Sequence, residues 1–403
     1  MTAIEKTDEQ KLAVQKAVDD LTAASQRYMI DSAGDEVKVD LQAKASSLVQ
    51  TLRGPLLSAL THFEDIVKMA SLRALLEAGV FDAIPKGGDT MTASEISSRT
   101  GLDKGILIRL MRAVTPSGPF REVGEEEYAH TVFSEAYLTA DIGGCFPVMS
   151  DFIFAPILQI CEFLRQNDWK DKITTRNNPF TMVHNCPGQT MFEYLYKNPN
   201  HVPRVTKAEA ADPDKIAMDL YPWENTIGAV SPNDCIAIVD IAGSHGNALR
   251  QIQKNVPGLK GRLVLQDLNP VILEHSESLR TDGIESMSYD FLQGTQPIHG
   301  ALIYYFRRVF HDWPDYPEGN QILQNTAASM DRDRSRILIH DIIVPEVGAT
   351  MTHAWQDLSL LAIGGVERTE KNFSRLLDSA GLVLVKIWRK PGEIMGIVEA
   401  RLK

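Results

Sequence analysis

An α/β protein with a Rossmann-like, mostly parallel sheet, preceded by an all-α and winged-helix unit, is the fold that this 403-residue sequence predicts. Three observations point to it. After about Asp212, short apolar runs alternate with helical patterns, the rhythm of units whose parallel sheet binds ligands at the strand C-terminal edge. Between Thr92 and Thr131, two helical stretches precede two short strands around Gly124, a helix–turn–helix–wing order. From Ile236 to Gly246 (IAIVDIAGSHG), a strand runs into an acid and a loop of small residues that opens a helix.

Taken in order, residues 1–60 read as an amphipathic helical extension with a polar break near Asp31–Asp40. Leu56 to Leu76 has helical apolar spacing and ends near Gly79. Thr92 and Glu95 make a capping-box pair. Gly101 stops that helix and Asp103 caps the next, whose apolar beat is Ile106, Leu107, Leu110, Met111 and Val114. PFREVGEEEYAHT supplies the wing. Residues 61–165 are thus expected to form a winged-helix-like domain, 166–211 an aromatic-rich helical linker, and 212–403 the sheet domain. The strand runs there are CIAIVDI, RLVLQDL, ALIYYFRRV, RILIHDIIV, LVLVKIW and GIVEARL. Helices are expected from Asn247 and Pro270, and near Glu318–Met330, Thr350–Ile363 and Thr369–Ser379.

Charge and composition narrow the partners. A net charge of −12 repels nucleic acid and anionic lipid. The wing carries Glu125, Glu126 and Glu127, where phosphate contact needs Lys or Arg. No apolar run spans a bilayer, and the charged N-terminus lacks the apolar core of a secretory signal. Cytoplasmic residence follows as the expectation. Cys145, Cys161, Cys186 and Cys235 are scattered, as for free thiols in a reducing compartment. No metal-ligand spacing is apparent.

The loop at Asp240–Gly246 suits a nucleoside-bearing cofactor. Small residues let a ligand approach the backbone, and the following helix offers N–H groups to a carboxylate. Asp267 ends the next strand, where an acid can take both ribose hydroxyls. NAD-binding proteins share this much. The remaining motifs follow in order: LVLQDLNPVI, YDFLQGTQPIHGALIYYFRRVFHDWPD, ILIHDIIVPEVG and DLSLLAIGGVERTEKNFSRLLDSAGL. Over roughly residues 60–403 the chain closely resembles the plant- and fungal-type O-methyltransferases, including the caffeic acid and sterigmatocystin-pathway enzymes. The resemblance implies a class I methyltransferase domain with a seven-stranded sheet and S-adenosylmethionine (SAM) as cofactor. It also implies a homodimer formed through the N-terminal domain. Asp240, Gly243, Ser244 and Gly246 would line the methionine end of SAM, Asp267 and Leu268 the ribose, and Asp290 and Phe291 the adenine. Arg307, where the family often has Lys, would lie near the cofactor, and Trp313 would pack on it. At two positions where the family usually has glycine stand Ala242 and Ser244. If either needs a positive φ, its side chain costs of order 1 kcal/mol.

A phenol ionises near pH 10, so methylating one at neutral pH needs a base and in-line positioning. His311, just past the ALIYYFRRV strand, lies at the ligand edge. The resemblance assigns it to deprotonating the acceptor hydroxyl, with Asp341 and Glu367 holding the ring; a carboxylate on one ring nitrogen fixes the tautomer and stabilises the imidazolium. Met182, Met191, Phe192 and Tyr196 either clamp a planar small-molecule acceptor or pack. His184 and Asn185 either face the acceptor or serve structure. Asp357 either lines the acceptor cavity or caps the fold. His245 reads as solvent-facing. The expected activity is methylation of an aromatic or polyketide-like secondary metabolite. One rival is a SAM-binding relative that catalyses dehydration or pericyclic cyclisation without methyl transfer. The other is a non-catalytic binding or regulatory protein.

Overall fold

The computed structural model describes residues 7–30, 35–116, 118–201, 220–228, 235–390 and 392–403. They form two compact units, residues 1–143 and 144–403.

In the first unit, helix Asp8–Tyr28 opens on a capping box between Thr7 and Gln10. It packs against the long helix Asp35–Glu77. Asp35 to Asp40, read as part of a polar break, already belong to that second helix; residues 31–34 lie outside the described residues. Gly54 breaks the helix at φ 68°, just before Pro55, whose ring cannot continue the hydrogen-bond ladder. Beyond the break Leu56, Leu60, Phe63 and Val67 share one helical face and are exposed.

The winged unit follows its local signals closely. Thr92 and Glu95 exchange capping hydrogen bonds, Gly101 ends the helix at φ 75°, and the Asp103 carboxylate caps Lys104–Val114. That helix buries Leu107, Met111 and Val114 and leaves Ile106 half exposed. Strands β1 (Thr90–Thr92), β2 (Arg121–Gly124) and β3 (Glu127–Ala129) pair antiparallel in the order β1-β3-β2. Glu126 takes the left-handed conformation at the wing tip and forms an ion pair with Lys104 at 2.7 Å.

The second unit is built on β4 (Ile236–Ile241), β5 (Arg262–Asp267), β6 (Glu285–Ser288), β7 (Ile303–Arg307), β8 (Arg336–Val344), β9 (Arg368–Thr369), β10 (Leu382–Trp388) and β11 (Met395–Leu402). Seven of them run β10-β11-β8-β7-β4-β5-β6, and the two-residue β9 pairs parallel beside the end of β8. Strands β4 to β8 are parallel; β11 alone runs antiparallel to its neighbours. The apolar runs bury both faces, with Val239, Tyr304 and Ile339 in one core and Ile238, Tyr305 and Leu338 in the other. Strand β6 was not among the apolar runs, because ESMS sits at the sheet edge and is mostly exposed. Strand order reverses at β4, so β4, β5 and β7 deliver their C-terminal ends to one crevice. No single helix among the described residues is long and apolar enough to cross a membrane.

Candidate active site

At the end of β4 the chain turns through an unusual loop. Ala242 and Ser244 both take positive φ, 60° and 49°, so both pay the left-handed penalty that glycine avoids. Gly246, at φ 79°, then opens helix Asn247–Asn255. Backbone hydrogen bonds hold the loop: Ala242 N–H donates to the Gln266 carbonyl at 2.7 Å, and Ser244 N–H donates to Asp267 Oδ2 at 2.9 Å. A side chain at either glycine would press on side chains of the protein itself. A Cβ on Gly243 would lie 2.6 Å from Asp240 Oδ2, and one on Gly246 2.6 Å from Leu279. His245 is half-buried, with its ring 4.4 Å from that of His275.

Two acids face this loop differently. Asp267 takes a backbone N–H on each oxygen, from Ser244 and from Leu268 at 2.7 Å. The remaining lone pairs suit a ribose diol. Asp240 is 1% exposed, and its Oδ2 has no hydrogen-bond partner among the described residues. Burial pushes its carboxyl up to about 7, against the pull of Arg307. A buried acid oxygen without a donor, beside a loop that opens a helix, fits a ligand bringing an ammonium group. The residues present therefore suit SAM: Asp240 for the amino-acid end, Asp267 for the ribose.

Toward the expected adenine side, Asp290 accepts the Leu292 N–H at 3.0 Å. Phe291 meets Trp313 edge-on at 5.7 Å, and Phe192 stacks on Trp313 at 6.1 Å. Trp313 thus joins a residue expected at the cofactor to one expected at the acceptor. Phe192, Trp313 and Asp312 line a small cavity together with Thr175, Met191 and Ile363.

His311 sits in a single helical turn, Phe310–Asp312, and is 5% exposed. Its Nδ1 faces Glu367 Oε1 at 3.2 Å, and its Nε2 lies 3.6 Å from Asp312 Oδ1. A proton on Nδ1 satisfies Glu367 and leaves the Nε2 lone pair free to accept one. Burial pushes the imidazole below its ordinary range, with the charges of Asp312 and Asp341 opposing. Burial also raises Asp312 and Asp341, each to about 6. Asp341 has no hydrogen bond on either oxygen among the described residues. Its charge favours the protonated imidazole, while the second close carboxylate is Asp312, to which the sequence reading gave no role.

Segment 364–368 holds this turn in place. Gly365 approaches so closely that a Cβ would lie 2.2 Å from the His311 carbonyl, and a Cβ on Gly364 would lie 2.4 Å from that of Thr174. Val366 N–H donates to the His311 carbonyl at 2.8 Å, and Glu367 N–H donates to Asp357 Oδ1 at 2.9 Å. Asp357 therefore fixes the backbone of Glu367. Arg368, also missed from sequence, is 1% exposed and donates to the carbonyls of Phe310 and Trp313 and to Asp315. Only its place directly after Glu367 in GGVERT hints at this.

The acceptor-side residues are spread more widely. Met182 is half-buried on helix Pro179–Val183, which docks through Phe180 N–H to the Ala362 carbonyl at 2.9 Å. Asn185 is exposed at a left-handed turn after it, and Tyr196 is 47% exposed. His184 lies among Phe152, Phe180 and Tyr194.

The chain matches family models for an O-methyltransferase domain over residues 167–383 and an O-methyltransferase dimerisation domain over residues 60–140. It is 35% identical to the O-methyltransferase kntB of Aspergillus niger over the whole of both chains. It is 29% identical to a demethylsterigmatocystin 6-O-methyltransferase of Aspergillus parasiticus, over 87% of this chain and 86% of that one. Among solved structures, OxaC in complex with sinefungin and meleagrin is 71% identical, with a TM-score of 0.94, over 98% of this chain and 100% of that one. OxaC has also been solved with SAH and oxaline. LepI with SAM, at 22% identity and a TM-score of 0.85, covering 98% of this chain and 100% of its own, shares the fold alone. With both family models matched and full-length likeness to fungal relatives, this chain belongs to the S-adenosylmethionine-dependent O-methyltransferase family.

Proposed function

We propose that this enzyme methylates a hydroxyl group on an aromatic or polyketide-like secondary metabolite, with His311 as general base. The observation that carries the reading is the buried His311–Glu367 contact beside the cavity lined by Asp312, Trp313 and Phe192. When bound, SAM supplies a methyl group on a positively charged sulfur. Asp240, Gly243, Ser244 and Gly246 hold its amino-acid end, Asp267 and Leu268 the ribose, Asp290 and Phe291 the adenine, with Arg307 and Trp313 beside it. His311 Nε2 takes the acceptor proton, and Glu367 stabilises the resulting imidazolium through Nδ1. Asp341 adds its charge. Met182, Asn185, Phe192 and Asp357 belong to the acceptor side.

In the same reading residues 61–165 join two copies into a homodimer, assisted by the exposed Leu56, Leu60, Phe63 and Val67 face of the 1–60 extension and the helix that continues it. Residues 166–211, of which 202–211 lie outside the described residues, contribute to the acceptor pocket; residues 212–403 bind SAM. We place its work in the cytoplasm, a reading that rests on the scattered spacing of Cys145, Cys161, Cys186 and Cys235 in the sequence.

The ligands solved with OxaC make meleagrin the first acceptor to try. The enzyme is incubated with labelled SAM and meleagrin, alongside a panel of phenols, and the products are read by mass spectrometry. A methylated acceptor formed one-for-one with SAH is the expected result. No methylated product across meleagrin and the panel would overturn the acceptor class.

A further inference from the structure

The turn carrying His311 is short and makes few hydrogen bonds of its own. Trp313 N–H donates to the Phe310 carbonyl at a long 3.3 Å, and Asp312 N–H to the Val309 carbonyl at 3.2 Å. Its firmer contacts come from segment 365–368. Val366 N–H holds the carbonyl of His311 itself. The Arg368 guanidinium holds the carbonyls on either side of His311 and Asp312, with Nη1 2.6 Å from Phe310 O and Nη2 2.7 Å from Trp313 O. Its Nε reaches Asp315 Oδ1 at 2.7 Å, and its Cζ lies 5.9 Å from the centre of the Phe373 ring. Asp315 is partly exposed, whereas Arg368 is 1% exposed. Burying a guanidinium so completely is costly, and a single half-exposed carboxylate does not explain it. Its two carbonyl partners flank the proposed base. A planar fork sets the spacing of two acceptors in a way a point charge does not.

The backbone fixes the other end of this arrangement. Arg368 pairs with Ile343 in register between β9 and β8, two residues beyond Asp341. Glu367, the preceding residue, touches the His311 ring. One dipeptide therefore grips the imidazole with one side chain and the backbone around it with the next.

We propose that Arg368 is a positioning residue. Through the carbonyls of Phe310 and Trp313 it holds the His311 ring in register with Glu367, so that Nδ1 carries the proton and Nε2 stays open to the acceptor. The proposal rests on His311 being the base, and its test separates the two claims.

Arg368→Met, Arg368→Lys and Asp315→Asn are made in the full chain and loaded with SAH. Ring nitrogens are read by nitrogen-15 NMR on histidine-labelled protein, with His311→Asn identifying the His311 signals. Wild type is expected to show a neutral ring protonated at Nδ1. Arg368→Met is expected to show averaging between tautomers, while SAH affinity stays within about threefold and turnover with SAM and meleagrin falls ~100-fold, the scale of a 1 Å misplacement. Lysine keeps the charge without the fork and is expected to recover about tenfold of that loss. Asp315→Asn, which leaves both carbonyl contacts intact, is expected to keep the wild-type tautomer. A folded Arg368→Met with wild-type His311 signals and pH–rate profile would overturn the proposal. So would turnover that falls only in step with SAH affinity. If Arg368→Met does not fold, Arg368→Lys decides by the same signals. Turnover retained by His311→Ala would sink the base assignment, yet leave the tautomer change in Arg368→Met intact.

Discussion

The loop after β4 and the turn after β7 sit at the same edge of one sheet, but they are held by different means. The β4 loop is set by its own backbone. Three consecutive even positions, Ala242, Ser244 and Gly246, take positive φ, and neighbouring strand residues take up its N–H groups. The β7 turn is held from far along the chain, by Val366, Glu367 and Arg368. The first also leaves a buried acid oxygen unmet among the described residues at Asp240, whereas His311 is already paired. One region is prepared for a ligand to complete it. The other carries its partners with it.

That contrast can be broken most sharply at His311. Replacement by alanine should lower turnover by about 10²–10⁴-fold, the range of a lost general base, while calorimetry finds SAM affinity nearly unchanged. A parallel collapse of affinity would mean that the two regions are one.

Asp240→Asn should act the other way, on affinity first. Losing a charged hydrogen bond to the cofactor's ammonium group is worth roughly 1.5–3 kcal/mol, or about 10–150-fold in affinity. Without a ligand, burial holds the wild-type carboxyl near 7 even with the Arg307 charge pulling it down. Pairing with a cation favours the ionised form, so SAM affinity should rise from pH 6 to about 7 and then level, with proton release seen in buffers of different ionisation heat. The asparagine variant should lose that slope. Stability should move oppositely. The folded pKa lies above the unfolded one, so the folded state binds more protons and wild type loses stability as pH rises from about 4 to 7. Asp240→Asn should therefore melt higher than wild type at pH 8, and the gap should shrink toward pH 4. An asparagine variant that binds SAM normally would remove Asp240 from the cofactor site.

The smallest effect is expected at Ala242 and Ser244. Glycine at either position relieves left-handed strain but frees the unfolded chain, for a net gain of up to about 1 kcal/mol, or ~1–2 °C in melting midpoint. A loss of stability on either change would show that those side chains earn their place through contacts.

The same contrast decides what could be read in advance. The β4 loop is contiguous, so its acid, its small residues and even the cost of Ala242 and Ser244 were visible in eleven residues of sequence. So were the caps at Thr92 and Asp103, because each cap and its partner stand three residues apart. The His311 site was legible only as a pattern resembling a family. Arg368 escaped because its partners lie more than fifty positions away, and an arginine is usually at the surface. Asp312 escaped because nothing in HDW says whether its carboxylate turns in or out. Strand β6 escaped because an edge strand with exposed side chains lacks the apolar run that marks its neighbours.

The two adjoining glycines, 364 and 365, also bear on redesign. Each lies where any side chain would run into the backbone of another segment, at Thr174 or at His311. Diversifying that stretch would displace His311 or Thr174 before it opened any space. Libraries that vary cavity volume are better directed to Met191, Phe192 and Ile363, whose side chains line the small cavity beside Asp312 and Trp313, with the Gly-Gly pair left as wild type.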